Sequence, residues 1–200
     1  YPTHMRVNVV DDRKNTAILK RLDFYIETDY GMKFEAVSEG VTATGFDEDG
    51  SLESFRAESS WFYDADKLKV VITGAEWLKK DMEKIYINLE TGETEALPEG
   101  VTFYSAEKLK SGWILKLKAV RRKENHFHQI LTHKFYDAEG TEYEIRSRGC
   151  YDADEEAGAD GVSYMIEEVP LANFHDSEVW VAPNYSHEWI AENPVVVVIQ

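Results

Sequence analysis

A two-residue alternation runs through the most apolar parts of this chain and constrains its fold more than any other feature. In Trp113-Ile114-Leu115-Lys116-Leu117-Lys118-Ala119-Val120, the residues Trp113, Leu115 and Leu117 fall on one side of an extended backbone, and Lys116 and Lys118 on the other. Successive side chains of a strand point to opposite faces, so this pattern builds a sheet with one dry and one wet side. Phe34-Glu35-Ala36-Val37, Lys69-Val70-Val71-Ile72, Ile85-Tyr86-Ile87-Asn88-Leu89 and Tyr143-Glu144-Ile145-Arg146-Ser147 are likewise rich in β-branched and aromatic residues and predict further strands.

Turn chemistry separates these runs. Asp49-Gly50, Thr91-Gly92, Ser111-Gly112, Glu139-Gly140 and Asp160-Gly161 each place glycine where a positive φ costs little, which predicts hairpins. Tyr63-Asp64-Ala65-Asp66, Tyr136-Asp137-Ala138-Glu139 and Tyr151-Asp152-Ala153-Asp154 share a turn composition, but their unequal spacing argues against a solenoid repeat. Two segments carry a helical period instead. Residues 16–28 set Ile18, Leu22, Tyr25 and Ile26 at i, i+4, i+7 and i+8 behind a capping Asn15 or Thr16, and residues 74–81 predict a helical turn or two. The run Pro194-Val195-Val196-Val197-Val198-Ile199 is too short to cross a membrane and is expected as a strand buried on both faces. Leu97-Pro98-Glu99-Gly100 interrupts the pattern near the middle and suggests a boundary. The expected architecture is therefore mainly β, with immunoglobulin-like sandwich units and one or two short helices. A mixed β unit with a short helix would span 1–100, and an immunoglobulin-like sandwich 101–200.

Composition narrows the function classes. With 38 acidic against 22 basic residues the net charge is −16, a field that repels phosphate backbones, so nucleic-acid binding is not expected. The basic residues make one dense cluster, Arg121-Arg122-Lys123. Five Trp and eleven Tyr in 200 residues are too aromatic for a disordered chain. Cys150 is the sole cysteine, which rules out an internal disulfide and is compatible with cytosolic and exported proteins alike. There is no run of eighteen or more apolar residues, and the first residues lack the apolar stretch of a signal peptide.

No catalytic motif is present: no Gly-x-Ser-x-Gly elbow, no glycine-rich phosphate cradle, no cysteine in a recognised nucleophile setting. His126 and His128 would share a strand face and are weak metal-ligand candidates, whereas His133 lies an odd number of residues away and would point elsewhere. Asp47-Glu48-Asp49-Gly50 and Asp152-Ala153-Asp154-Glu155-Glu156 gather hard oxygen ligands, but the second has Ala157 and Ser163 where a calcium loop needs Gly and Glu. No metal or other cofactor is expected. Of the aromatics, Trp61, Phe62, Tyr63, Trp77 and Trp180 are expected mostly in cores. The segment Tyr185-Ser186-His187-Glu188-Trp189 reads as a loop in which Tyr185, His187 and Trp189 are the candidate ligand-binding residues.

Four passages carry a family likeness: Ile72-Thr73-Gly74-Ala75-Glu76-Trp77-Leu78-Lys79-Lys80-Asp81, Leu97-Pro98-Glu99-Gly100-Val101, Trp113-Ile114-Leu115 and Phe135-Tyr136-Asp137-Ala138-Glu139-Gly140. They resemble the extracytoplasmic β domains of uncharacterised membrane proteins of Gram-positive bacteria, in which an anti-sigma-factor-like cytosolic part and one membrane helix precede the β region. The resemblance implies an immunoglobulin-like fold outside the membrane, an anchor outside this segment and a link to sigma-factor regulation, and it assigns no catalytic or ligand residues. The expected function is thus a non-enzymatic sensory or binding module of the cell envelope with an unknown envelope ligand or protein partner. A carboxylate-dependent hydrolase, for instance one acting on carbohydrate, is the first alternative. A domain that binds peptides at a sheet edge is the second, and a cytoplasmic location is the alternative to the envelope.

Overall fold

The computed structural model describes residues 4–9, 14–35, 43–46, 52–60, 63–121, 129–153 and 162–199. Among these the regular elements are strands, apart from one 3-10 turn at Lys80–Met82. In chain order they are β1 (His4–Asn8), β2 (Ala17–Thr28), β3 (Lys33–Glu35), β4 (Ala43–Phe46), β5 (Leu52–Glu58), β6 (Leu68–Lys79), β7 (Ile85–Asn88) and β8 (Val101–Leu109). There follow β9 (Gly112–Val120), β10 (Leu131–Tyr136), β11 (Glu142–Glu144), β12 (Gly149–Asp152), β13 (Tyr164–Ala172), β14 (Glu178–Pro183) and β15 (His187–Ile199). All neighbouring strands pair antiparallel. The mainly β expectation holds, and no described helix is long and apolar enough to cross a membrane.

Both segments with a helical period are strands, and the reason is arithmetic. Offsets of four and eight satisfy a helix and a strand equally, so Ile18, Leu22 and Ile26 cannot discriminate. Phe24 and Thr28 decide: both are buried along with Ile18, Leu22 and Ile26 on the even-numbered face of β2, while Tyr25 is only partly covered. Residues 74–79 continue β6, whose Leu78 and Ala75 sit opposite Ile18 and Leu22, and only the 3-10 turn after Lys79 has helical character.

The chain divides into two compact units, one of Tyr1–Lys80 with His187–Gln200 and the other of Asp81–Ser186. The interruption at 97–100 accordingly lies inside the second unit, as a turn ahead of β8, and the two units do not follow the halves 1–100 and 101–200. What separates units from halves is a non-local pairing. After β14 the chain returns to lie along β6, so its last strand belongs with the first unit.

In the first unit, the sheet β1-β5-β4 and the sheet β15-β6-β2-β3 share one core. Phe55 and Ala57 of β5 meet Leu22, Phe24 and Ile26 of β2, Phe34 of β3 and Val70 of β6. Phe24 and Phe55 make an edge-to-face contact at 6.1 Å across the layers. In the second unit, the sheets β11-β10-β14-β7 and β12-β13-β9-β8 enclose the larger core. The alternation of β9 is realised there: Trp113, Leu115, Leu117 and Ala119 are buried, and Lys116 points out to bond Glu168 at 3.0 Å.

The β8–β9 hairpin shows what its glycine is for. Gly112 has φ +130°, and a Cβ there would collide with the Leu171 carbonyl oxygen on β13. Backbone strain and steric overlap add at this position. Gly112→Ala is therefore expected to cost about 3 kcal/mol of stability, measurable as a lowered midpoint in urea unfolding followed by near-ultraviolet signals of Trp113.

Candidate functional site

The most unusual surface of the chain is made by its last strand. β15 starts with His187 stacked on its cross-strand neighbour Trp77, ring centres 5.7 Å apart and nearly parallel. Trp189 follows opposite Ala75, and Ile190 opposite Gly74. The backbones crowd here. A Cβ on Gly74 would come within 3.0 Å of both the Trp189 carbonyl oxygen and an Asp23 carboxylate oxygen, so only glycine fits without displacement. The register breaks between Ile190 and Val195, where Ala191, Glu192, Asn193 and Pro194 stand against Thr73 alone, and β2 and β6 are bulged at the same level.

Beyond this irregularity β15 resumes regular pairing, with Val195, Val197 and Ile199 opposite Ile72, Val70 and Leu68. These three partners pack on the first unit's core, so Val195, Val197 and Ile199 lie on the core-bearing face of the sheet. Val196 and Val198 lie on the other face, opposite Val71 and Lys69. Yet all five residues from Val195 to Ile199 are 39 to 59 % exposed. The facing sheet packs over β2 and β3, at the far side of this sheet from β15, and leaves the last strand overhanging. β15 is also an edge strand, with β6 its sole neighbour among the described residues, so one row of its backbone N–H and C=O groups has no ladder partner there.

This corrects the expectation of a strand buried on both faces. A continuous β-branched run suits a doubly covered strand, but Pro194 was the contrary signal, because proline in a sheet is confined to edges, strand starts and bulges. Edge protection is present only over the irregular part, where Glu192 and Pro194 discourage pairing. Val195 to Ile199 carries neither charge nor proline.

Tyr185, His187 and Trp189 do not form a common loop. Tyr185 is 1 % exposed within the second unit's core and offers no surface to a ligand, whereas His187 and Trp189 are partly exposed residues of β15. His126 and His128 lie outside the described residues, as do Trp61, Phe62, residues 47–50 and residues 154–156. His133 is an exposed residue of β10. Asp152 is engaged by Arg121 at 2.8 Å, and among the described residues no three His, Cys, Asp or Glu side chains come together as a metal-binding set. Trp113 is core, and Trp180 packs against Tyr86 at 5.2 Å. Cys150 on β12 is half-buried, and burial pushes its thiol up, with the neighbouring Glu167 acting in the same direction. No family model, curated protein or solved structure matches the chain in comparison with known proteins.

Sequence reasoning also passed over a buried ion pair in the second unit. Glu167 projects from β13 with 0 % exposure. It accepts hydrogen bonds from the Ile130 and Leu131 amides at 2.6 and 3.3 Å and from Arg148 at 2.7 Å. Arg148 also donates to the carbonyls of Leu131 and Thr132 at 2.6 and 2.9 Å. The pair pins residues 130–132 and the segment ahead of β12 onto β13, and its satisfied lone pairs and protons mark it as a structural clamp. Burial raises the Glu167 carboxyl above its ordinary value, and the two amides and Arg148 pull it back down. Arg148→Met leaves that carboxyl buried without its counter-charge, and a loss of about 3–5 kcal/mol is expected. With Arg148 gone the folded-state carboxyl rises further, so the group favours the folded state when protonated and opposes it as pH climbs through its folded value. Urea unfolding of the variant and the parent should therefore show a stability gap that is smaller at mildly acidic pH than at neutral pH.

Proposed function

We propose that this chain is a non-enzymatic binding module that takes an extended segment of a partner as an added strand along the free edge of β15. The observation that carries the reading is the Val195 to Ile199 strip, apolar on both faces, half-exposed, regularly paired on one side and, among the described residues, open on the other. Soluble proteins blunt such edges with charge, proline or a covering loop, because an open ladder of backbone groups is a template for another chain. Where a protein binds by strand addition, main-chain hydrogen bonds supply much of the affinity, and alternate side chains settle against the two faces of the sheet.

The resemblance to extracytoplasmic β domains supports placing the module at the cell envelope with an immunoglobulin-like build, where an open edge would serve to sense or hold an envelope protein. The two-layer antiparallel arrangement of each unit is compatible with that kinship. On this reading His187 and Trp189 frame the start of the binding strand instead of forming a pocket of their own.

A peptide of alternating Val and Thr should bind the full chain, and binding should slow hydrogen exchange of the backbone amides in Val195 to Ile199. Val197→Lys, which places a charge in the middle of the strip, should weaken binding at least about tenfold while leaving the unfolding midpoint nearly unchanged, since exposed substitutions usually act within about 0.5 kcal/mol. Amides in this strand that exchange at the same rate with and without peptide would refute the proposal.

A further inference from the structure

We propose that the segment accepted by β15 runs antiparallel to it and carries Lys or Arg just beyond the C-terminal end of its apolar stretch, an inference that rests on the strand-addition reading. Direction follows from the fold: every strand pairing among the described residues is antiparallel, and antiparallel ladders are slightly the more stable per residue. A strand lying so against Val195 to Ile199 has its C-terminal residues toward Glu192, which is exposed three positions before Val195.

Charge then selects the flank. Lys69, which stands opposite Val198, is engaged by Glu27 at 3.8 Å, and Arg21 of β2 is engaged by Asp23 and Glu76 at 2.9 and 3.2 Å. Glu192 adds an exposed negative charge at one end of the strip, and the chain as a whole carries −16. That field speeds the approach of a cationic segment and slows an anionic one. It also weighs against a second copy of this chain as the occupant. An antiparallel pair centred on Val197 would match Val195 with Ile199 of the other copy, apolar against apolar, but each copy would bring the same −16 to the encounter. The apolar middle of the segment is set by the strip itself, since Val195, Val197 and Ile199 on one face and Val196 and Val198 on the other leave no polar side chain to satisfy.

Three peptides with one Val and Thr centre test this against the full chain: Lys after the C-terminal end, Lys before the N-terminal end, and Glu after the C-terminal end. Fluorescence anisotropy at low ionic strength should rank the C-terminal Lys peptide tightest, by about threefold or more over the Glu peptide. The gap should narrow as salt is added, and Glu192→Gln should shrink it. Equal affinities with protection of the Val195 to Ile199 amides intact would overturn the cationic inference and leave strand addition standing. No binding of any peptide would remove both. Concentration-dependent dimerisation in sedimentation velocity, lost in Val197→Lys and unaccompanied by peptide binding, would assign the edge to a second copy and also overturn the inference.

Discussion

The pairing of β15 with β6 is the contact on which the arrangement of the chain depends. It joins residues more than a hundred positions apart and assigns the last strand to the first unit. Such a pairing pays a large loop-closure entropy before any contact rewards it. It is stabilised by the Trp77–His187 stack, by the close backbone approach that Gly74 permits, and by the regular ladder from Val195 to Ile199. The same pairing creates the exposed edge, because β15 is added outside the area that the facing sheet covers.

The two cores show different means of ordering. The first relies on apolar packing, with Phe24 and Phe55 interlocked between layers. The second adds a polar clamp: Glu167, fully buried on β13, gathers two amides and Arg148, and Arg148 gathers two carbonyls. Burying a charge is costly unless it is paired and bonded. The clamp ties the start of β10 and the segment ahead of β12 to β13, and it gives the Ile130 and Leu131 amides a buried acceptor.

At the open edge the balance runs the other way. Five apolar side chains remain in water, each forgoing part of the burial that Leu115 or Ile87 enjoys in full. Edge protection by Glu192 and Pro194 ends where the regular strip begins. A partner strand would satisfy both the apolar surface and the open ladder, and the acidity of the chain gives that partner a preferred sign of charge.

By itself the sequence determined the class of structure and several of its parts. The alternation of Trp113 to Ala119, the Ser111-Gly112 turn and the Ile85 to Asn88 strand are local signals, readable because side-chain period and positive φ are properties of a few consecutive residues. Tertiary structure decided what depends on distant neighbours. Ile18, Leu22 and Ile26 suit a helix or a strand until β6 lies beside them, and Glu167 resembles thirty-seven other acidic residues until Arg148 arrives from another segment. The run from Val195 to Ile199 has one composition whether it is covered on two faces or on none. Its exposure is set by how far the facing sheet extends, a quantity that no stretch of neighbouring residues encodes.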